Sequence, residues 1–156
     1  MIAAAGAAER VRAAVDLGAD AGINYRSEDL TAEARRITGG RGVDVVFENI
    51  ADAELFPRAF ASLARQRRLI TAGAHGGGTV PLDVKSLYLN GITVIGSTGQ
   101  VTPDDLTLTL EAAGQGRHRV LIDRVLPLAD AVLAHRIVAE RSGTGKVVLQ
   151  PSREPG

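Results

Sequence analysis

A regular alternation of short apolar runs with longer segments of helical periodicity constrains the fold of this chain most. The apolar runs, each a candidate β-strand, are "IAAAG", "AGINY", "VDVVF", "RLITAGA", "ITVIGS" and "KVVLQ". Between them, apolar residues recur at intervals of three and four, as at Leu30, Ala34 and Ile37. This alternation predicts an α/β fold in which a parallel sheet carries helices on both faces. Ligands of such sheets bind outside the carboxyl ends of the strands.

Residues that begin or end helices mark the boundaries of these elements. Gly18 occupies the position of a C-terminal cap, and Ser27 is predicted to be the N-cap of the next helix. Thr102, followed by Pro103 and two acidic residues, is typical of a helix start. Pro57 is placed in the first turn of its helix, where no backbone hydrogen bond is lost. The nearly continuous apolar run "VDVVF" is typical of a strand covered on both faces.

The sequence contains no internal repeat and no linker that would divide it. We therefore assign residues 1–150 to one domain, which ends with a helix over 129–141 and the strand "KVVLQ". Residues 151–156 are predicted to form a disordered tail.

The composition excludes several classes of function. Basic and acidic residues balance at 18 each, so the chain carries no electrostatic footprint for nucleic acid or for an anionic membrane. No apolar run approaches the length that spans a bilayer. The chain has no cysteine, which excludes disulfides and thiolate metal sites within it. We therefore expect a soluble cytoplasmic protein with a small-molecule substrate and with neither a nucleic-acid nor a membrane partner.

The titratable residues form no pattern typical of a catalytic or metal site. His75, His118 and His135 have no partners at ligand spacing, so no metal site is predicted. No Ser–His–Asp or paired-carboxylate arrangement is found, and no catalytic residue is predicted. Asp44 and Glu48 lie towards the two ends of a predicted strand. We expect one of them to cap the following turn and the other to face a helix terminus.

The order of several segments carries a family resemblance, although each segment alone is weak. These segments are "AERVRAAVDLGAD", "INYRSED", "TGGRGVDVVFENI", "RLITAGAHGG", "ITVIGST", "VLIDRVLPLADAVLAHR" and "GKVVLQP". Together they resemble the cofactor-binding half of the medium-chain dehydrogenase/reductase superfamily, and in particular its zinc-independent, quinone-oxidoreductase-like members. The resemblance extends from Ile2 to about Pro151.

The resemblance implies a Rossmann-like, doubly wound parallel sheet that is incomplete. In this family a first strand and a glycine-rich phosphate loop lie immediately upstream of the position of Ile2, and a substrate-binding domain precedes them. The C-terminal helix and strand return toward that catalytic domain. We therefore expect residues 1–150 to be a partial dinucleotide-binding domain. The alternative is a complete small α/β domain with a topology of its own.

The end of the first strand bears on the choice of cofactor. NAD-specific sites usually place an Asp or Glu there to bind the adenosine ribose, whereas this chain has Gly6 after a run of alanines and Glu9 only later. In the resembling reductases, a basic residue at the position of Arg10 and a tyrosine at that of Tyr25 contact the 2′-phosphate. NADP(H) is therefore the predicted cofactor. The alternative is that Arg10 is a solvated helix residue and Tyr25 only ends a strand.

The resemblance also implies cofactor contacts at the other strand ends. Asn49 and Ile50 correspond to positions beside the nicotinamide ribose, unless Asn49 is simply a turn residue. The remaining predicted cofactor-binding residues follow later strands or precede the last one, and they are Gly73, Ala74, His75, Gly96, Ser97, Thr98 and Lys146. His75 is equally consistent with an ordinary loop residue, and Lys146 with a solvated lysine.

The function that the resemblance implies is an NADPH-dependent oxidoreductase that transfers hydride to a quinone, an enone or a related carbonyl compound. The strand "ITVIGS" is expected at the edge of the sheet, where residues Ile92–Ser97 would pair two chains into a homodimer. We expect little turnover from this chain alone. The alternative is a non-catalytic nucleotide-binding or dimerisation remnant. A methyltransferase-like domain is disfavoured because it also needs an acid after the first strand of this chain.

Overall fold

The structure, a computed structural model, describes residues 1–99, 101–140 and 142–151. The predicted tail lies outside these residues except for Pro151, and so does the predicted helix end at residue 141. The chain divides into two compact units, Met1–Val101 and Thr102–Gly156. No helix of the described residues is both long enough and apolar enough to cross a bilayer.

Strands and helices alternate through the first unit, as the sequence predicts. The elements are β1 (Ile2–Ala5), α1 (Ala8–Asp16), β2 (Ala21–Asn24), α2 (Leu30–Ile37), β3 (Val43–Glu48), α3 (Leu55–Ala61), β4 (Leu63–Thr71), α4 (Val84–Asn90) and β5 (Thr93–Gly96). All strand pairs are parallel, with β1 paired to β2 and with β4 between β3 and β5. The predicted α/β class with a parallel arrangement is confirmed. Within the described residues β5 lies at a sheet edge, as expected.

The predicted cap of α2 is wrong by two residues. The N-cap is Asp29, whose Oδ1 accepts the backbone N–H groups of Thr31 and Ala32 at 2.9 and 3.0 Å. Ser27 instead donates its hydroxyl to the carbonyl of Asn24. A carboxylate at this position satisfies two N–H groups of the first turn, and these hydrogen bonds lower the pKa of Asp29. The prediction for Pro57 is confirmed, since it lies in the first turn of α3.

The strands of the first unit form two sheets instead of one, because no described strand lies between β1 and β3. A groove of ≈ 200 Å³ separates these two strands. The residues of β1 and β3 that line it are Ile2, Ala4, Val43, Val45, Val46, Phe47 and Glu48. The expectation that the "VDVVF" strand is covered on both faces is therefore wrong. Val45 is 41% and Phe47 68% exposed because no described element packs over them.

The first unit is held together by two apolar clusters on either side of α3. Ile23 of β2 packs with Leu30, Ala34 and Ala59, which connects the β1–β2 sheet to α2 and α3. Leu69 of β4 is fully buried in the second cluster, whose other buried members are Phe56, Phe60 and Leu63. Helix α3 contributes to both clusters. It therefore fixes the β1–β2 pair against the three-stranded sheet, although no hydrogen bond between described residues joins the strands of the two sheets.

The second unit contains α5 (Pro103–Gly114), β6 (Ile122–Pro127), a 3₁₀ turn (Leu128–Asp130), α6 (Ala131–Ala139) and β7 (Lys146–Gln150). The predicted start of α5 is confirmed. The Thr102 hydroxyl accepts the backbone N–H of Asp105, and the Asp105 carboxylate accepts the N–H of Thr102 in a capping box. Strands β6 and β7 pair in parallel.

Candidate functional site

A cleft of ≈ 800 Å³ lies at the carboxyl ends of β4 and β5, where parallel sheets bind their ligands. Five of the predicted cofactor-binding residues line it, and they are Gly73, Ala74, Gly96, Ser97 and Thr98. Ala51, Phe56, Val80 and Leu82 supply apolar surface from other elements. A mostly apolar cleft with backbone groups at one edge can hold a flat heterocyclic ring.

The loops that surround this cleft contact one another through backbone atoms. A Cβ on Gly73 would lie 2.4 Å from the carbonyl oxygen of Asn49, so only glycine allows the two loops to come this close. The N–H of Gly76 donates to the carbonyl of Ile50 at 2.5 Å, and the N–H of Ser97 donates to Thr71 at 2.8 Å. Asn49 and Ile50 themselves line the groove between β1 and β3, on the other side of this contact.

Glu48 fixes the turn that follows β3. Its side chain is buried, and Oε1 accepts the N–H groups of Ile50 at 2.5 Å and of Ala51 at 2.6 Å. The hydroxyl of Thr71 on β4 donates to Oε2 at 3.2 Å. Ala51 has a φ of 54°, a left-handed conformation that a residue with a Cβ rarely adopts. The carboxylate therefore holds a strained turn at the cleft, and the predicted capping role belongs to Glu48.

Asp44, the other carboxylate of this strand, does not face a helix terminus. Arg41 donates two hydrogen bonds to it at 2.6 and 2.8 Å, and Arg67 donates a third at 2.6 Å. The hydrogen bonds from Arg41, followed by that from Arg67, hold the pKa of Asp44 well below its ordinary value. Asp44 is therefore part of an exposed ion-pair network at the start of β3 and not of the cleft.

A second set of candidate residues lies at the carboxyl ends of β1 and β2. A Cβ on Gly6 would lie 2.8 Å from the hydroxyl oxygen of Tyr25 and 3.1 Å from Nε of Arg26, so both side chains approach the Gly6 backbone. The sequence prediction paired Tyr25 with Arg10 of α1, which is half-buried, and did not consider Arg26. Only the folded loop reveals that Arg26 turns back over β1.

Arg58 of α3 holds this second loop in place and was also missed. Its guanidinium donates to the carbonyl oxygens of Tyr25 at 3.0 Å and of Glu28 at 2.9 Å. The Glu28 carboxylate accepts the N–H of Asn24 at 2.7 Å, which closes the loop on itself. The two partners of Arg58 lie about thirty residues away in sequence. Patterns of nearby residues therefore cannot predict these hydrogen bonds.

His75 and Lys146 are the remaining predicted residues, and both have exposed side chains. His75 is exposed in the turn after β4, and it is not among the residues that line the cleft. Lys146 begins β7 in the second unit, where its side chain is exposed and its N–H donates to the carbonyl of Leu121.

The described residues offer no ligand set for a zinc ion. Within residues 1–99, 101–140 and 142–151, no three His, Asp or Glu side chains come together in a way that could hold a metal. Zinc sites in proteins are built from three or four such ligands or cysteines, and the chain has no cysteine. A zinc ion therefore does not fit the part of the chain that the structure describes.

Parallel strands with a cleft at their carboxyl ends define a Rossmann-like α/β domain of the nucleotide-binding class. The profile of the zinc-binding dehydrogenase family matches residues 1–113, and the chain belongs to this family. The predicted resemblance to quinone-oxidoreductase-like proteins is confirmed. Quinone oxidoreductase 1 of Escherichia coli (strain K12) is 29% identical in an alignment of 161 positions, which covers 97% of this chain and 49% of that protein.

Solved structures agree with this assignment. An NAD-dependent alcohol dehydrogenase superposes with a TM-score of 0.82 at 33% identity, over 96% of this chain and 43% of the other. A mycobacterial protein solved in complex with NADPH superposes with a TM-score of 0.79 at 28% identity, over 96% of this chain and 49% of the other. The chain spans about half the length of the curated relatives it matches, 45% in one and 49% in another.

Proposed function

We propose that this chain is the cofactor-binding part of an NADPH-dependent oxidoreductase that transfers hydride to a quinone, an enone or a related carbonyl compound. The observation that carries the proposal is the end of β1, where Gly6 faces Tyr25 and Arg26 and no carboxylate follows the strand. A carboxylate there would repel a 2′-phosphate, whereas a phenol and a guanidinium attract it. The nicotinamide supplies the hydride, and the protein supplies orientation and electrostatics.

The residues of the first unit fit such a nucleotide at two places. The loop of Tyr25 and Arg26 would hold the adenosine end, where Gly6 lets both side chains lie against the backbone at the end of β1. The cleft after β4 and β5 would hold the nicotinamide end, where Gly73, Ser97 and Thr98 line it. Its apolar walls would exclude water from the ring.

The groove between β1 and β3 supports the proposal that the complete enzyme has a further strand. Both strands have a free edge on this side among the described residues, and the side chains between them are mainly apolar. A single extended strand satisfies both edges. The glycine-rich loop that follows such a strand in dinucleotide-binding sheets would cradle the pyrophosphate.

We expect the chain to bind NADPH more tightly than NADH by about tenfold, since a 2′-phosphate adds charge-assisted hydrogen bonds. Isothermal titration of the purified chain with each nucleotide measures this difference. Equal affinities would contradict the NADPH preference, and so would tighter binding of NADH. Rapid NADPH-dependent reduction of a quinone by the chain alone would contradict its role as only one part of the enzyme.

A free sheet edge favours the proposal of a homodimer through β5. The N–H of Ser97 bonds to β4, so with the two-residue period of a strand the N–H of Val94 points to the open edge. Val94 and Ile95 are 37% and 42% exposed. The same edge is consistent with the second candidate function, a dimerisation or nucleotide-binding remnant without turnover. Absence of binding to either nucleotide would favour a remnant that serves only in dimerisation.

The Val94→Pro variant is expected to weaken the dimer at least about tenfold, because proline removes the outward N–H donor and leaves the ladder to β4 intact. Light scattering at micromolar concentration should then give the monomer mass for this variant and the dimer mass for the parent chain. Val94→Ala is the matched control, since it trims the side chain but keeps the N–H. A monomeric parent chain would rule out the dimer.

A further inference from the structure

We propose that Arg26 is the specificity-determining residue for the 2′-phosphate of NADP(H), in the position that the sequence prediction gave to Arg10. This inference rests on the proposed function. The three atoms nearest to a Cβ built on Gly6 belong to Tyr25 and Arg26, with Nε of Arg26 at 3.1 Å. Arg26 is therefore a cation that lies directly against the end of β1, where the adenosine ribose of a bound dinucleotide is expected.

The backbone around Arg26 is fixed by hydrogen bonds, which pre-organises the loop that carries its side chain. The N–H of Arg26 donates to Oδ1 of Asn24 at 3.2 Å, as in an Asx turn. Arg58 holds the carbonyl oxygens on either side, those of Tyr25 and Glu28. A phosphate that binds here does not have to order the loop, so most of the interaction energy is available for affinity.

The charges around Arg26 leave its guanidinium available to a ligand. The nearest acid along the chain, Glu28, is occupied by the N–H of Asn24 at 2.7 Å. Among the described residues no carboxylate forms an ion pair with Arg26. The guanidinium of Arg58 donates its hydrogen bonds to backbone carbonyl oxygens. The guanidinium of Arg26 and the hydroxyl of Tyr25 therefore present adjacent donors at one point.

A guanidinium discriminates strongly between a phosphate and a hydroxyl. It binds a phosphate with two parallel charge-assisted hydrogen bonds, which a ribose 2′-hydroxyl cannot accept in the same way. Arg26 would therefore strengthen the binding of NADP(H) and leave that of NAD(H) nearly unchanged. A merely structural arginine would affect both nucleotides equally.

The test uses the full chain and two small probes, adenosine 2′,5′-bisphosphate and adenosine 5′-monophosphate. The Arg26→Gln variant is expected to bind the bisphosphate at least about tenfold more weakly, with the monophosphate changed by less than about twofold. Arg26→Lys should recover part of the loss, because it restores the charge but not the bidentate geometry. Arg36→Gln removes the same charge from α2, where Arg36 pairs with Glu33, and serves as the control.

Each outcome decides between the two proposals. A parent chain that prefers the bisphosphate, with no change in Arg26→Gln and a large loss in Arg10→Gln, overturns the role of Arg26 and leaves the proposed NADPH preference intact. A parent chain that binds the probes equally, or binds neither, overturns both. Circular dichroism of Arg26→Gln checks that the fold is retained, which is expected because the side chain is exposed.

Discussion

A β-strand, a glycine-rich loop and a helix fused ahead of Met1 are expected to raise the affinity of the chain for NADPH at least about a hundredfold. The strand should enter the groove between β1 and β3, whose facing edges are free among the described residues. The loop should then present its N–H groups to the pyrophosphate, which binds at the N-terminus of the following helix. Two or three charge-assisted hydrogen bonds account for a change of this size.

This experiment needs a segment taken from a family member and two measurements. Isothermal titration gives the affinity, and hydrogen exchange shows whether the amides of β3 become protected when the strand enters. The control carries the same segment with proline in the middle of the strand, which cannot form both ladders. The proposal fails if the added segment remains unprotected and the affinity for NADPH does not change.

The Glu48→Ala variant is expected to lose about 3 kcal/mol of unfolding free energy, because two backbone N–H groups lose their acceptor in a buried place. The two groups belong to Ile50 and Ala51, and Ala51 is 7% exposed. The strained φ of Ala51 would relax once the carboxylate is gone, so the turn should also move away from the cleft.

Urea denaturation measures the loss of stability, and two further variants define its cause. Glu48→Gln keeps an oxygen that can accept both N–H groups, so it should lose only about 1 kcal/mol. Glu54→Ala removes an exposed carboxylate six positions further along and should change stability by less than about 0.5 kcal/mol. If Glu48→Ala unfolds at the same urea concentration as Glu54→Ala, the buried carboxylate does not hold the turn.

The parts of the fold that can be predicted from the sequence are those that depend on residues close together in the chain. Alternation of apolar runs and helical periodicity is local, and so is the capping box at Thr102. The N-cap of α2 was misplaced because Ser27 and Asp29 both carry an acceptor. The choice between them depends on a loop that Arg58 holds from α3. The exposure of Phe47 depends on which elements pack over β3, and the residues near Phe47 do not specify them.

In the candidate site, too, the features that follow from local sequence were predicted and those that depend on distant residues were not. The rule that ligands meet the carboxyl ends of parallel strands identified Gly73, Gly96 and Ser97, and all three line the cleft. The rule cannot say which side chain of a loop turns toward a neighbouring strand. Arg26 was therefore overlooked beside Tyr25, because its proximity to Gly6 arises only when β1 and β2 pair.

The contact between Gly73 and the Asn49 carbonyl determines which positions of the cleft can be varied. A directed-evolution library that randomises Gly73 would yield mostly misfolded clones, since every other residue places a Cβ 2.4 Å from that oxygen. The productive positions are Ala74, Ser97 and Thr98, whose side chains can vary while the surrounding loops keep their hydrogen bonds. A library for this cleft can thus keep the backbone constant and diversify only the side chains that project from it.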